Sequence, residues 1–229
     1  MIKKIFFWIL KIIGAFLLLS VLTVLLYKFI NPPITPLMVI RVVEGALDGE
    51  LVGISKEWKS YDEISKNVFK AVVSAEDARY MKHGGFDWKA IENAKKFNEK
   101  HKGKKVRGAS TISMQTAKNV FLWQSRNYVR KALEAYFTVL IEYIWGKQRI
   151  LEVYVNVIEM GNGVYGVEAA SQKYFQKSSE KLTKREAALI AAILPNPRYW
   201  SPAAPTSYLE KRQSFVQGRM NSVPIPKAD

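Results

Sequence analysis

The sequence predicts a mainly α-helical protein with one N-terminal transmembrane helix. Three observations support this fold class. Residues 5–30 form an apolar run that exceeds the about 20 apolar residues with which a helix crosses a bilayer. Beyond this run, apolar residues recur at spacings of three and four, which is the pattern of one helix face. Strand-like alternation is scarce, with short candidates only at Met38–Val43 and Leu51–Ile54.

The apolar run 5–30 is the first predicted element. Lys11 is its only charged residue before Lys28, and it lies close enough to the start for its side chain to reach the headgroups. Lys3 and Lys4 indicate that the N-terminal side is cytoplasmic. The run is longer than the apolar core of a signal peptide, and no small-x-small cleavage site follows it. An uncleaved anchor is therefore favoured over a cleaved signal peptide.

The length of 229 residues leaves room for one domain with a substantial core after the anchor. Prolines at 32, 33 and 36 predict a stiff exit from the membrane. We divide the chain into a cytoplasmic tail (1–4), the anchor (5–30), a linker with the start of the exported domain (31–60), one catalytic domain (61–215) and a C-terminal tail (216–229).

Five helices are predicted in the exported part from caps and apolar spacing. They are a helix over 61–81 opened by a capping box at Ser60–Glu63, one that begins after Ser110 and Thr111, one with an apolar stripe from Val129 to Ile144, one over 147–158, and one that opens with a capping box at Thr183–Glu186 and ends at Pro195.

The charge balance is strongly basic, with 35 basic and 20 acidic residues and a net charge of +15. This favours an anionic partner such as nucleic acid, anionic lipid or a pyrophosphate. The lysine-rich run Lys89–Arg107 indicates a solvated segment that faces an anionic membrane surface. Nucleic acid is not expected, since no nucleic-acid motif accompanies the charge. The lack of cysteine and the presence of only two histidines argue against disulfides and a histidine metal cluster.

Glu76 is the first candidate catalytic residue. It follows Val72 by four residues and Val68 by eight, so its carboxylate lies along the apolar side of its helix. Desolvation raises a carboxyl pKa toward the range of a general base. On spacing alone, a rim carboxylate that pairs with Arg79 or Lys82 is an equally good interpretation.

Residues 108–113 are small or hydroxylated and precede a predicted helix. Free N–H groups at the positive end of a helix form a natural phosphate cradle, to which Ser110 and Thr111 would add donors. Thr111, Gln115 and Lys118 share one polar face that continues the cradle. A Ser-Thr pair before a helix is, however, usually only a cap.

A cluster of charges follows the cradle and consists of Arg126, Arg130, Lys131 and Glu134. Most pairs with the spacing of Arg130 and Glu134 are surface salt bridges worth under about 1 kcal/mol. Arginines close to a phosphate cradle are also well shaped to neutralise a pyrophosphate. Both interpretations remain open at this point.

Together these segments resemble the family 51 glycosyltransferases, the peptidoglycan polymerases that occur alone or as the first domain of class A penicillin-binding proteins. The resemblance rests on five motifs in the family's order, at Glu76–Asp87, Gly108–Asn119, Arg130–Glu134, Ile150–Val167 and Glu186–Pro202. This sequence departs from the family pattern at Met114, where glutamine is frequent, at Ala109, where glycine is frequent, and at Tyr80, where phenylalanine is common.

The resemblance implies a lysozyme-like glycosyltransferase domain with a helical head lobe and a smaller hydrophobic jaw lobe that dips into the membrane. Phe121, Leu122 and Trp123 are candidates for the jaw, with core packing as the alternative. The implied protein is a monofunctional peptidoglycan transglycosylase in the bacterial inner membrane. Its N-terminus would be cytoplasmic and its catalytic domain periplasmic or extracellular. It would polymerise lipid II into β-1,4-linked glycan strands, with inversion and release of undecaprenyl pyrophosphate.

By the same resemblance, Glu76 is the general base and Glu134 is a second essential carboxylate. The implied substrate-binding residues are Ser110, Thr111, Gln115, Lys118, Arg126, Arg130, Lys131 and Asn156, with Lys118, Arg126 and Arg130 assigned to the pyrophosphate. No cofactor is assigned; a divalent cation, Mg2+ or Mn2+, is left open without ligands. The implied partners are lipid II, the growing lipid-linked glycan and membrane phospholipids, and other cell-wall synthesis or division proteins are left open. The family's phosphoglycolipid inhibitor, moenomycin, is expected to bind.

Three alternatives were weighed against this interpretation. A lysozyme-like hydrolase or lytic transglycosylase also uses carboxylates in a glycan cleft, but has no pyrophosphate to bind. A noncatalytic membrane scaffold would tolerate neutralisation of Glu76 and Glu134. Transpeptidation is not expected, because Ser178–Lys181 matches S-x-x-K without the accompanying motifs. Since every candidate residue lies beyond Leu51, we also expect the domain to fold and act without residues 1–30.

Overall fold

The computed structural model describes residues 1–102, 106–125 and 127–227. The predicted mainly α class is confirmed. The described helices are α1 (Ile2–Phe29), α2 (Pro36–Leu47), α3 (Lys66–Glu76), α4 (Trp88–Lys100), α5 (Ile112–Phe121), α6 (Tyr128–Ile144), α7 (Gly146–Val157), α8 (Val167–Phe175), α9 (Lys184–Ile193) and α10 (Ser207–Arg219). The strands are β1 (Ser55–Lys56), β2 (Glu159–Gly161) and β3 (Val164–Tyr165), in the sheet order β1-β3-β2.

Helix α1 contains the one stretch of the described residues that is long and apolar enough to cross a membrane, Lys3–Phe29, with a mean hydropathy of 2.6. Its first half is exposed, whereas its second half packs on α6. The hydroxyl oxygens of Ser20 and Tyr136 lie 2.7 Å apart. The indole N–H of Trp145 donates to the carbonyl of Val24 at 2.7 Å, and the Val24 side chain is fully buried.

The end of α1 is joined to α5 and α7 as well. The guanidinium of Arg149 donates to the carbonyl of Tyr27 at 2.9 Å and to that of Ile30 at 3.2 Å. The ring of Tyr27 stacks on Phe121, with centroids 6.1 Å apart. The last turns of α1 therefore pack into the domain core, and the expectation that the domain folds without residues 1–30 stays a prediction.

The predicted helices over 129–144, 147–158 and 184–193 are confirmed as α6, α7 and α9. The predicted helix over 61–81 is divided. The capping box at Ser60 forms, but the helix that it begins is only a short 3-10 helix, Tyr61–Glu63. Helix α3 begins after a second cap, in which the Ser65 hydroxyl accepts a backbone N–H, and it ends at Glu76. The shorter helix places Glu76 in its last turn, next to the following loop.

The strand candidate Met38–Val43 is wrong, because it lies inside helix α2. The Thr35 hydroxyl caps this helix and Pro36 occupies its first position, which are both helix-start signals. Contacts with α5 support the helix despite its β-branched residues. The candidate Leu51–Ile54 lies just before β1, which pairs in parallel with β3.

The helices pack in two groups that meet at the candidate site. Helices α3, α9 and α10 contact one another, and α5 packs between α6 and α7. The backbone N–H of Ile112, at the start of α5, donates to the Asp77 carboxylate at 3.1 Å, just after α3. This bond joins the end of α3 to the beginning of α5, the two segments that carry Glu76 and the predicted cradle.

Helix α10 continues through the boundary that we placed at residue 215. Val216, Met220 and Val223 are buried in the core. The hydroxyl of Tyr61 donates to the carbonyl of Pro226 at 2.8 Å. The described residues from 216 onward thus pack against the domain and do not form the separate tail that we predicted.

Candidate active site

The Glu76 carboxylate lies at the C-terminal end of α3 and is only partly exposed. Burial raises its pKa above the ordinary value, opposed by a hydrogen bond from Gln115 and by the charge of Arg212. Within the described residues Glu76 forms no ion pair, and Arg79 faces Asp87 at 3.4 Å instead. The interpretation of Glu76 as a rim carboxylate paired with Arg79 or Lys82 is therefore not supported.

Asp77, the neighbour of Glu76, is a structural carboxylate. Its oxygens lie 2.9 and 3.1 Å from Nε2 of His83, and it accepts the backbone N–H of Ile112. The side chains of Asp77 and His83 are both almost fully buried. Asp77 thus connects the loop after α3 to the start of α5, which holds the backbone just after Glu76 in place.

The predicted cradle forms at the start of α5, and its two hydroxyls differ. The Thr111 hydroxyl is buried, donates to the carbonyl of Gly85 at 2.6 Å and accepts the backbone N–H of Met114 at 3.2 Å. Ser110 is exposed. The structure therefore gives Thr111 the role of a helix cap and leaves the Ser110 hydroxyl available to a ligand.

A cavity of about 440 Å³ opens beside Glu76 and the cradle. Its lining includes the candidates Glu76, Ser110 and Thr111. It also includes four cationic side chains that were not predicted to lie at the site, namely Arg79, Lys89, Arg107 and Arg219. The lining carries three carboxylates as well, Glu76, Asp77 and Asp87, and Arg79 faces Asp87. Lys89, Arg107 and Arg219 are the cations that remain to meet an anionic ligand.

The predicted cluster on α6 forms around a buried carboxylate. Glu134 is only 3% exposed and forms ion pairs with Arg130 and Lys131. These pairs are therefore not ordinary surface salt bridges. Lys118, on α5, lies close enough to Glu134, Arg130 and Lys131 for their charges to affect its pKa. Burial of Lys118 lowers that pKa. Arg126, the remaining member of the predicted cluster, lies outside the described residues.

Lys118 differs from Arg130 and Lys131 in its ion pairing. In the part of the chain that the structure describes, it has no carboxylate within 4.0 Å, whereas Arg130 and Lys131 are held by Glu134. A cation that is desolvated and lacks a close counter-ion binds an incoming anion strongly. Lys118 is thus the best placed of the predicted cations to meet a phosphate.

Gln115 and Asn156 have different surroundings. The Gln115 amide donates to Glu76 at 2.9 Å, so it lies at the candidate site. Asn156 is fully buried; its amide donates to the carbonyls of Lys59 and Glu152 and accepts the backbone N–H of Lys59. Asn156 joins the segment before α3 to α7, which leaves its predicted role in substrate binding without support.

The predicted jaw residues are mostly core residues. Leu122 is buried, and Phe121 stacks on Phe137 with centroids 4.6 Å apart. Trp123 is 40% exposed and is the one of the three that offers an apolar surface. A core role therefore applies to the first two and not to Trp123.

A divalent cation was left open by the sequence. In the described residues, one group brings carboxylate and imidazole atoms within 4.8 Å of one another, consisting of Asp77, His83 and Asp87. The Asp77 carboxylate is already occupied by His83 and a backbone N–H, and that of Asp87 by a backbone N–H and Arg79. This group is a hydrogen-bonded network that does not fit a metal, so we assign no metal ligand and derive no step through one.

These features define the class of site. A partly buried carboxylate lies beside a cation-lined cavity, next to a helix that carries a desolvated lysine. A carboxylate with a raised pKa and nearby cations are the groups that general-base chemistry on an anionic substrate uses.

A model of the transglycosylase family matches residues 46–221, and the chain belongs to this family. Three similar relatives carry the name biosynthetic peptidoglycan transglycosylase. That of Bdellovibrio bacteriovorus is 55% identical over 221 residues, 96% of this chain and 87% of the relative. That of Caulobacter vibrioides is 53% identical over 196 residues, 86% of this chain and 82% of the relative. That of Pseudomonas fluorescens SBW25 is 45% identical over 223 residues, 97% of this chain and 92% of the relative. The predicted family is confirmed.

Proposed function

We propose that this chain is a peptidoglycan glycosyltransferase that polymerises lipid II into β-1,4-linked glycan strands. The names of its relatives support the reaction. The observation that carries the proposal is the Glu76 carboxylate, which is partly buried and opens on a cation-lined cavity beside the cradle. A base and an anion site side by side are what the joining of two pyrophosphate-linked sugars requires.

In the proposed reaction, Glu76 takes the proton from the 4-hydroxyl of the acceptor, lipid II, as that oxygen attacks the anomeric carbon of the donor glycan. The bond from this carbon to the pyrophosphate breaks on the opposite face, so the configuration inverts. The electron pair goes to the pyrophosphate oxygen. Lys118 and Arg130 stabilise the charge that develops there. Undecaprenyl pyrophosphate is then released.

Glu134 has the proposed role of a positioning carboxylate. Because it holds Arg130 and Lys131 in ion pairs, it fixes two cations on the same side of α6. Fixed cations stabilise developing charge without the cost of reorganisation. Ser110 is proposed to bind substrate at the cavity. Arg126 and Asn156 are kept as proposals from the resemblance alone.

We further propose that α1 is a single-pass anchor with a cytoplasmic N-terminus, so that the domain lies on the outer face of the bacterial inner membrane. The basic lysines at positions 3 and 4 support this orientation. The net charge of +15 favours contact with anionic phospholipids. An anchored enzyme meets its lipid-linked substrates by diffusion in two dimensions, which raises their effective concentration.

The test compares two substrates. Purified protein in detergent is incubated with lipid II in one reaction and with polymeric glycan in another, and the products are separated by length. We expect glycan strands from lipid II and no shortening of the polymer. Shortened polymer without lipid II consumption would favour the lysozyme-like hydrolase and contradict the proposal.

A further inference from the structure

We propose that Tyr154 and Gln115 form a hydrogen-bonded relay that orients the Glu76 carboxylate and keeps it ready to accept a proton. This inference rests on the proposed role of Glu76 as general base. It changes the assignment of Gln115 from a substrate-binding residue to a positioning residue. It adds Tyr154, which the sequence reasoning did not single out, as a second positioning residue.

The relay consists of two hydrogen bonds across three helices. The hydroxyl of Tyr154, on α7, donates to Oε1 of Gln115 at 3.1 Å. Nε2 of Gln115, on α5, donates to Oε2 of Glu76 at 2.9 Å, at the end of α3. In the described residues, Gln115 is the hydrogen-bond partner of both the Tyr154 hydroxyl and the Glu76 carboxylate. Gln115 therefore connects the candidate base to a tyrosine in the core.

The direction of the relay follows from the chemistry of its ends. An ionised carboxylate can only accept hydrogen bonds, so the amide nitrogen of Gln115 faces Glu76. Oε1 is then left facing Tyr154, whose hydroxyl serves as the donor. Tyr154 is fully buried, and burial raises its pKa well above the ordinary value. Its hydroxyl keeps its proton, so the donor at the end of the relay is permanent.

The relay lowers the pKa of Glu76, because a hydrogen bond donated to a carboxylate favours its charged form. The bond from Gln115 opposes the burial that raises the pKa of Glu76. Without the Tyr154 hydroxyl, the Gln115 amide is free to turn its oxygen toward Glu76. An acceptor in that place favours the protonated carboxyl, which cannot act as a base.

Other charged groups near Glu76 also shift its pKa, and the substitutions that cut the relay leave these groups in place. Asp77 raises the pKa of Glu76 and Arg212, on α10, lowers it. The remaining charged groups in the shared cavity are Arg79, Asp87, Lys89, Arg107 and Arg219. None of these donates a hydrogen bond to Glu76 in the described residues, so the relay is the contact that sets its orientation.

The decisive variant is Tyr154→Phe, which keeps the buried ring and removes only the hydroxyl. The chain offers a matched control in Tyr165→Phe. Tyr165 is also fully buried, and its hydroxyl has no hydrogen-bond partner in the described residues. Both variants remove one buried hydroxyl, but only one of them cuts the relay.

The measurement is the pH dependence of kcat for lipid II polymerisation by the full chain in detergent, with melting temperatures in the same buffer. For Tyr154→Phe the freed Gln115 amide can turn away its N–H, so we expect the acidic limb to move upward by up to about one to two pH units, the shift that corresponds to losing the hydrogen bond from Gln115 to the carboxylate. KM for lipid II should not change. Tyr165→Phe should match the unmodified chain.

A double-variant comparison tests whether Tyr154 acts through Gln115. Gln115→Met should shift the acidic limb upward at least as far as Tyr154→Phe. Adding Tyr154→Phe to it should produce no further shift, since the relay is already cut. If Tyr154→Phe fails to fold, the shift in Gln115→Met carries the test alone.

The inference would be overturned by an unshifted acidic limb in Gln115→Met, or by additive shifts in the double variant. Glu76→Gln separates this failure from a failure of the proposed function. An inactive Glu76→Gln with unshifted profiles in the relay variants would remove the relay and leave the base in place. An active Glu76→Gln would remove both.

Discussion

Truncation of α1 tests the finding that the second half of this helix packs into the domain core. Two deletions distinguish the exposed part of α1 from the part that packs on the domain. Removal of residues 1–15 takes away the first half of α1 and keeps the turns that contact α6, beginning with Phe16, whose ring lies 6.0 Å from that of Tyr136. Removal of residues 1–30 also takes away Ser20, Val24 and Tyr27, which contact the domain.

The contacts set the expected difference between the two deletions. The burial of Val24 contributes about 1.5–3 kcal/mol. The three hydrogen bonds from or to Tyr136, Trp145 and Arg149 contribute roughly 1 kcal/mol each. The sum is about 4–6 kcal/mol, of which some returns when water reaches the freed groups. At about 2–4 °C per kcal/mol for a domain of this size, the longer deletion should melt roughly 8–24 °C below the shorter one.

The assay is thermal unfolding of both deletions and the full chain in one detergent, followed by lipid II polymerisation at a temperature below all three transitions. The shorter deletion should melt within a few degrees of the full chain. Trp145→Phe, which removes the N–H that donates to Val24 together with part of a buried ring, should lower the melting temperature by at least about 2–4 °C. Equal melting temperatures for the two deletions would refute the reasoning.

Two further substitutions test the site and the fold. Lys118→Ala should lower turnover by roughly 100-fold or more, because a desolvated cation at the leaving group is lost, and it should weaken moenomycin binding in a direct titration. Lys95→Ala, in the exposed part of α4, is its control, and equal effects of the two would contradict the assignment. Gly166→Ala should lower the melting temperature, since Gly166 has a φ of +81° and an added Cβ would lie 2.6 Å from the backbone oxygen of Asn156. Gly218→Ala, with nothing within 4 Å of the added Cβ, should not lower the melting temperature. Similar decreases in the two variants would show that neither strain nor crowding matters at position 166.

The elements that were predicted well have strong local signals. Helix α9 combines a capping box with an apolar stretch and helix α6 has an apolar stripe, so both could be predicted from neighbouring residues. Helix α2 was missed because its β-branched residues suggested a strand. The cap at Thr35 and the proline that follows it were a local signal for a helix, and contacts with α5 then stabilise it.

The candidate site was only partly predictable for a similar reason. Glu76 and Lys118 have local signals, namely a position on an apolar face and a place after a cradle. Tyr154, Arg212 and Arg219 reach the site from α7 and α10, which are distant from α3 in the chain. Their proximity to Glu76 results from the packing of helices, and no local pattern in the sequence encodes it.

The central claim is that Glu76 is the general base of lipid II polymerisation. The most direct test is turnover of lipid II by Glu76→Gln in detergent, with moenomycin binding and thermal unfolding measured on the same sample. The amide keeps the shape and part of the hydrogen bonding of the carboxylate, so inhibitor binding and melting should change little. Loss of the base should reduce turnover by about 100- to 10,000-fold. Turnover close to that of the unmodified chain, by a folded variant that binds the inhibitor, would contradict the account.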